Sequence, residues 1–190
     1  RYDTIRMSVA YAQANVRIVG SHGGLGIGDD GHSQMGLEDL SLMRELPTMT
    51  VLSPCDEIET HQIMDFLVRT YKGPSYLRVT RQALVPVHGS DYVFRVGKLD
   101  ILRNSKTNAS SSRVALLATG ACVQECLGAY ETLKSKGIEV TVVNVSTIKP
   151  FDGAGVCELI QQGHRSLITV EDHYVIGGLG SAVAEAIAEA

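Results

Sequence analysis

No stretch of the 190 residues approaches the roughly 18 consecutive apolar residues of a membrane-spanning helix, so a membrane partner is not expected. Nor is there a surplus of positive charge. Seventeen basic residues face 21 acidic ones, a net charge of -4, which removes the global field that holds nucleic acid or an anionic membrane and leaves only a local basic pocket open. Cysteine is scarce: Cys55, Cys122, Cys126 and Cys157 show neither CxxC spacing nor disulfide density, which predicts reduced thiols in a cytoplasmic protein. Internal repeats, low-complexity segments and a signal-peptide pattern are lacking as well. The chain opens Arg1-Tyr2-Asp3 without an initiator Met and stops at Ala190 inside an amphipathic run, which raises the expectation of a piece of a longer polypeptide or a trimmed subunit. What is there, 44% apolar and 20% charged residues, is the composition of an ordinary globular chain, long enough for one large domain or two small ones.

Residues 1–14 read as the end of a helix through Ile5, Val9 and Ala12. The β-branched run 15–19 reads as a strand, and a glycine-rich loop follows it. Leu37, Leu40, Met43 and Leu46 suit a helix over 36–46 closed by Pro47, and 49–52 suits a second strand. Asp56 with Glu59 three residues on predicts a helix start, Asp replacing the usual Ser or Thr of a capping box; the helix runs to Tyr71, Gly73-Pro74 breaks it, and 76–80 is a third strand. This alternation predicts a parallel sheet. Residues 84–96 read as a linker. Beyond it lie strands at 97–103, 114–118, 140–145 and 167–170, an exposed turn at 104–112, and helices at 123–136, 153–162 and from Leu179 onward. The fold class is therefore α/β, two consecutive units with mainly parallel sheets.

Ligands of open parallel sheets bind beyond the carboxyl ends of the strands. His22 lies just past the first strand and Arg81 just past the third, so both belong to one rim, where a planar fork of donors and an imidazole suit a phosphate. A loop histidine bonded to backbone and a solvated strand-end arginine are the plain alternatives, and spacing leaves them open. The loop Gly20-Ser-His-Gly-Gly-Leu-Gly-Ile-Gly-Asp-Asp-Gly31 carries six glycines but neither the dinucleotide fingerprint nor a phosphate-loop lysine. It reads either as a cradle for an anion or as a flexible connection. Asp29-Asp30 suits sugar hydroxyls or a plain turn. Gly177-Gly178-Leu179-Gly180 resembles an anion-binding helix start, with a tight turn as the blander account. Glu171-Asp172-His173 invites metal or acid–base readings, although adjacent residues rarely converge on one ion and a structural or interface role suits them better. Cys122 and Cys126, four apart on one helix face, read as core packing.

Together these segments resemble the transketolase family. The stretch from Gly20 through His32-Ser-Gln-Met-Gly-Leu-Glu-Asp39 is similar to its substrate loop, and Leu46-Pro-Thr-Met-Thr-Val-Leu-Ser-Pro-Cys-Asp56 and Leu77-Arg-Val-Thr-Arg81 follow in family order. Thr147-Ile-Lys-Pro150 and Thr169-Val-Glu-Asp-His-Tyr174 with Gly177-Gly-Leu-Gly180 resemble the family's last domain. Ser33-Gln34-Met35 is similar to the animal type; bacterial and yeast types usually carry histidine where Gln34 stands. His32 departs from the proline usual at its place, and no role is assigned to it.

The resemblance implies a partial pyrimidine-binding domain over residues 1–83, a linker over 84–96, and a truncated transketolase C-terminal domain over 97–190. It implies transfer of a two-carbon ketol unit from a ketose phosphate to an aldose phosphate, with thiamine diphosphate and Mg2+ (or Ca2+) bound mostly by regions absent from this chain. His22 would contact the sugar, Asp30 a sugar hydroxyl and Arg81 the phosphate, while Gln34 would lie by the cofactor. No metal ligand is assigned and no residue of this chain is named as catalytic. Implied partners are sugar phosphates and either a second subunit of a homodimer or a complementary N-terminal half, with the chain inactive alone. The competing readings are a non-catalytic transketolase-like regulatory or assembly subunit, a deoxyxylulose-phosphate synthase and a 2-oxo acid dehydrogenase beta-type enzyme. Ser21-His22 and the strand ending in Arg81 favour transketolase over the last two.

Overall fold

The β-branched run near the start becomes β1 (Arg17–Gly20), preceded by a short helix α1 (Tyr2–Thr4) that continues as π-helical turns over Ile5–Tyr11. The computed structural model describes residues 1–104 and 113–190; the turn expected at 104–112 falls, beyond Asn104, outside the described residues. After β1 come the glycine loop, α2 (Asp39–Glu45), β2 (Thr50–Leu52), α3 (Glu57–Asp65, continued as π-helical turns over Phe66–Thr70) and β3 (Ser75–Arg78). Then follow β4 (Asp100–Arg103), β5 (Arg113–Ala118), α4 (Cys122–Ser135), β6 (Thr141–Asn144), β7 (Thr147–Lys149), α5 (Gly153–Gln161), β8 (His164–Val170) and α6 (Leu179–Glu189).

The cap predicted for α3 is present and extended by one residue. The Asp56 carboxylate accepts from the Glu59 N–H at 2.8 Å, and the Glu59 carboxylate reaches back to the Cys55 N–H at 2.8 Å. Two predicted elements start late, for local reasons. The helix expected from 36 begins at Asp39 because the Gly36 and Leu37 carbonyls are turned outward to accept from Gly24 and Tyr174. The strand expected from Gly97 begins at Asp100 because Gly97 turns at a positive φ of 68° and Leu99 N–H is taken by the Asp152 carboxylate.

One sheet has the order β1-β3-β2-β7 and the other β4-β6-β5-β8. Each is parallel except for one antiparallel edge strand, β7 on β2 and β4 on β6. The missed strand is β7. Its three residues lie in the second half of the chain, yet they complete the first sheet. The core joins the halves in the same way. Leu40, Met43, Val51 and Tyr76 belong to one buried cluster with Leu117, Val143, Ile148, Val156 and Leu179. Burying a Leu- or Val-sized side chain contributes about 1.5–3 kcal/mol, so this cluster binds the two sheets firmly.

The segment 84–96 carries no helix or strand, but His88 fastens it. The buried imidazole points Nδ1 at Asp56 (3.0 Å) and Nε2 at Asp100 (2.9 Å), with its ring 3.8 Å from that of Tyr92. Two carboxylates on one ring call for the doubly protonated form. Burial works against that charge, but the Asp100 hydrogen bond, the nearby Glu59 charge and Asp56 outweigh it and raise the His88 pKa above the ordinary histidine value. The stability this latch contributes is therefore complete below the unfolded pKa of about 6.5 and is lost as pH rises through the higher folded value. Urea midpoints of wild type and His88→Gln measured across pH 5–9 are expected to converge at the alkaline end; a constant gap would refute the latch.

Candidate functional site

β1 and β3 are adjacent and parallel, with Gly20 in register with Arg78, so the chain leaves both strands side by side. Val79 N–H donates to Gly20 at 2.8 Å and Gly23 N–H to Val79 at 3.2 Å, which carries the pairing past the sheet and sets Ser21-His22 beside Thr80-Arg81. The glycine loop closes at its base through Gly24 N–H to Gly36 O, 2.8 Å. His22 adopts a positive φ of 62°, a conformation uncommon for a residue with a side chain and frequent where the chain is bent for function. Its Nδ1 lies 3.0 Å from Ser21 Oγ.

Ser21, His22, Ile27, Asp30 and Gln34 line an open depression of about 560 Å3. Arg81 closes its edge, donating through Nη1 to the Ile27 carbonyl and to Asp30 Oδ2 at 2.8 Å. The structure thus brings His22, read from the rim, and Asp30 and Gln34, named from the family resemblance, to one depression, with Arg81 tied to two of its walls. Both members of the Arg81–Asp30 pair are about half exposed, and such pairs are worth roughly 0–1 kcal/mol. The pair holds the guanidinium at the edge yet yields readily to a dianion, which offers stronger charge-assisted bonds.

The other candidate groups serve the framework. Glu171 fills the α6 N-terminus with its own carboxylate, accepting from Leu179 N–H (2.6 Å) and Gly180 N–H (2.8 Å), so that helix end is satisfied from within the chain. Asp172 accepts the Leu25 N–H with both oxygens, and Ser41 N–H lies 3.4 Å from His173 Nε2. Cys122 and Cys126 pack against one cluster, and burial pushes both thiols up to about 11.

Among the described residues, Cys55, Asp56 and His88 are the three that could hold a metal, their ligand atoms lying within 4.8 Å of one another. They do not fit a hard divalent cation. The Asp56 carboxylate already accepts from Glu59, Val87 and His88, while burial, with the Glu59 and Asp56 charges added, drives the Cys55 thiol far above its ordinary range. A second cleft, about 450 Å3, runs along Tyr92, Lys98 and Glu158, away from the rim.

Sequence reasoning passed over Arg78. It ends β3 almost fully buried, ion-pairs with Asp39 (3.1 Å), and donates to Gly36 O (2.9 Å) and Asp172 O (2.7 Å). A strand position taken by arginine inside an otherwise apolar run was its available signal.

Residues 1–86 match the family profile described as transketolase, pyrimidine binding domain, and residues 104–190 that of transketolase, C-terminal domain. A Methanocaldococcus jannaschii protein named as a transketolase C-terminal section is 39% identical over 98% of this chain and 56% of its own length. Human transketolase is 36% identical over 98% of this chain and 29% of its own. The chain thus spans about half, or less, of the relatives it matches. A solved structure titled as a split gene transketolase, inactive beta4 tetramer, superposes with a TM-score of 0.86 at 34% identity, covering 99% of this chain and 58% of that one.

Proposed function

The chain belongs to the transketolase family, and on that premise we propose that it supplies the substrate rim of an enzyme that moves a two-carbon ketol unit from a ketose phosphate to an aldose phosphate. The observation that carries this reading is the shared depression: His22, Asp30 and Gln34 line it and Arg81 stands at its edge. Arg81 would hold the phosphate by charge-assisted donors, Asp30 would accept from a sugar hydroxyl, and His22 would orient the sugar. Asp30 serves both states, tethering Arg81 before the ligand arrives and turning to the hydroxyl afterwards.

The family's cofactor is thiamine diphosphate, which when bound supplies the electron sink for breaking and remaking the carbon–carbon bond beside the ketose carbonyl. On this chain Gln34 would face it. Cys55, Asp56 and His88, the described residues whose ligand atoms cluster closely enough to share a cation, do not suit the diphosphate's metal ion, and that anchor is assigned to another polypeptide region. The partner proposed is accordingly a complementary chain or segment, joined in a dimer.

In the complete enzyme, Arg81→Ala is expected to raise KM for phosphorylated sugars about 10- to 100-fold, the loss of one or two charge-assisted hydrogen bonds, and to leave unphosphorylated sugars within about 2-fold. Equal losses on both classes would remove the phosphate role. Full activity of the variant would favour the alternative, a non-catalytic assembly subunit, in line with the similar split-gene structure being described as an inactive beta4 tetramer.

A further inference from the structure

The glycine loop is a long excursion whose tip carries Asp30 and Gln34, and loops of this kind take their shape from whatever holds their feet. Both feet are gripped by one strip of the second unit. At the outgoing foot, the Asp172 carboxylate takes the Leu25 N–H with Oδ1 at 2.8 Å and Oδ2 at 2.9 Å. At the returning foot, Tyr174 N–H donates to Leu37 O at 3.0 Å. Arg78 ties the grips together, since its Nη2 donates both to Gly36 O in the loop and to the backbone carbonyl of Asp172. Gly24 makes the grip possible: at a φ of 91° it bends the chain around the carboxylate, and a Cβ there would collide with the Asp172 oxygens.

The strip itself is anchored. It leaves the end of β8, in register with β5 through Ala118 and Val170, and Glu171 bonds it to the first turn of α6. A rigid strand and helix of one unit thus hold the ligand loop of the other at fixed points.

We infer that Asp172 is a positioning residue of the sugar-phosphate site, and that the second unit acts on the reaction by holding the glycine loop in its binding shape. The inference rests on the substrate reading proposed above. Asp172 does not line the depression. It acts through Leu25, which sets where Ile27, Asp30 and Arg81 meet. Productive geometry tolerates little displacement, so a loop freed at one foot must be ordered anew by each ligand.

The test uses the complete enzyme containing this chain, with Asp172→Ala and the milder Asp172→Asn, whose amide oxygen retains one acceptor. Hydrogen exchange of the peptides spanning 20–38 is expected to rise about 10-fold in Asp172→Ala and less in Asp172→Asn, with exchange of β5, β8 and α6 unchanged. KM for a ketose phosphate is expected to rise about 5- to 20-fold in the alanine variant, more than kcat falls, with partial rescue in the asparagine variant. Unchanged loop exchange, a uniform rise across the whole chain, or unchanged KM overturns the inference. A wild-type enzyme without transferase activity sinks the substrate reading instead, and loop exchange then decides by itself whether Asp172 is the tether.

Discussion

Incubated alone with thiamine diphosphate and Mg2+, the 190-residue chain is expected to convert no ketose phosphate above the uncatalysed rate. The reasoning is one of anchoring. Holding reactants in place contributes up to about 7–11 kcal/mol to a rate, and that gain requires the cofactor and the sugar to be fixed relative to each other. On the proposed reading, this chain's share is the rim that holds the sugar. For the cofactor's charged end, the trio among the described residues whose ligand atoms lie close enough to share a cation, Cys55, Asp56 and His88, is closed by its own hydrogen bonds. Forfeiting even 4 kcal/mol slows a reaction about 1000-fold, enough to take it below detection in a coupled assay. Activity should appear when a polypeptide supplying the diphosphate site is added. Clear turnover by the chain alone would show that the substrate rim is not its whole share of the chemistry.

Arg78→Met is expected to destabilise the fold by about 3–5 kcal/mol, the usual cost of stripping one partner from a buried ion pair. The guanidinium is nearly fully buried and serves three acceptors, Asp39, Gly36 O and Asp172 O. Without it the Asp39 carboxylate keeps the Tyr76 hydroxyl (2.7 Å) but loses its cation. A methionine fills the volume and leaves the charge uncompensated. Urea unfolding should show a midpoint lower by about 1–5 M if the slope lies near the usual 1–3 kcal/mol per molar. The double variant Arg78→Met/Asp39→Asn should recover part of the loss, since the stranded charge is then gone. A single-variant loss below about 1 kcal/mol would mean that water screens this pair after all.

Much of this architecture was legible residue by residue. Asp56 and Glu59 announced α3 because a cap is a local exchange of hydrogen bonds, complete within five positions. The order of strands and helices to Arg78, and the shared rim of His22 and Arg81, followed from periodicity and the geometry of parallel sheets. What stayed hidden depends on distant partners. The three residues of β7 are too few to show alternation, and what makes them a strand is the waiting edge of β2, almost a hundred positions earlier. His88 reads as one residue of a linker until Asp56 and Asp100 are seen to close on it from either side. Asp172 was legible as a structural or interface residue rather than an acid–base group, but its partner, a backbone N–H 147 positions away, was not.

The crossing of β7 into the first sheet bears on ancestry. Recombination between relatives tends to succeed where a seam severs few contacts, and 84–96, bare of helix and strand, looks like such a seam. It is a false one: any exchange made there would pair the first half's β2 with an edge strand selected against a different neighbour. The two halves must therefore be inherited as a single block, and divergence in one is answerable to the other.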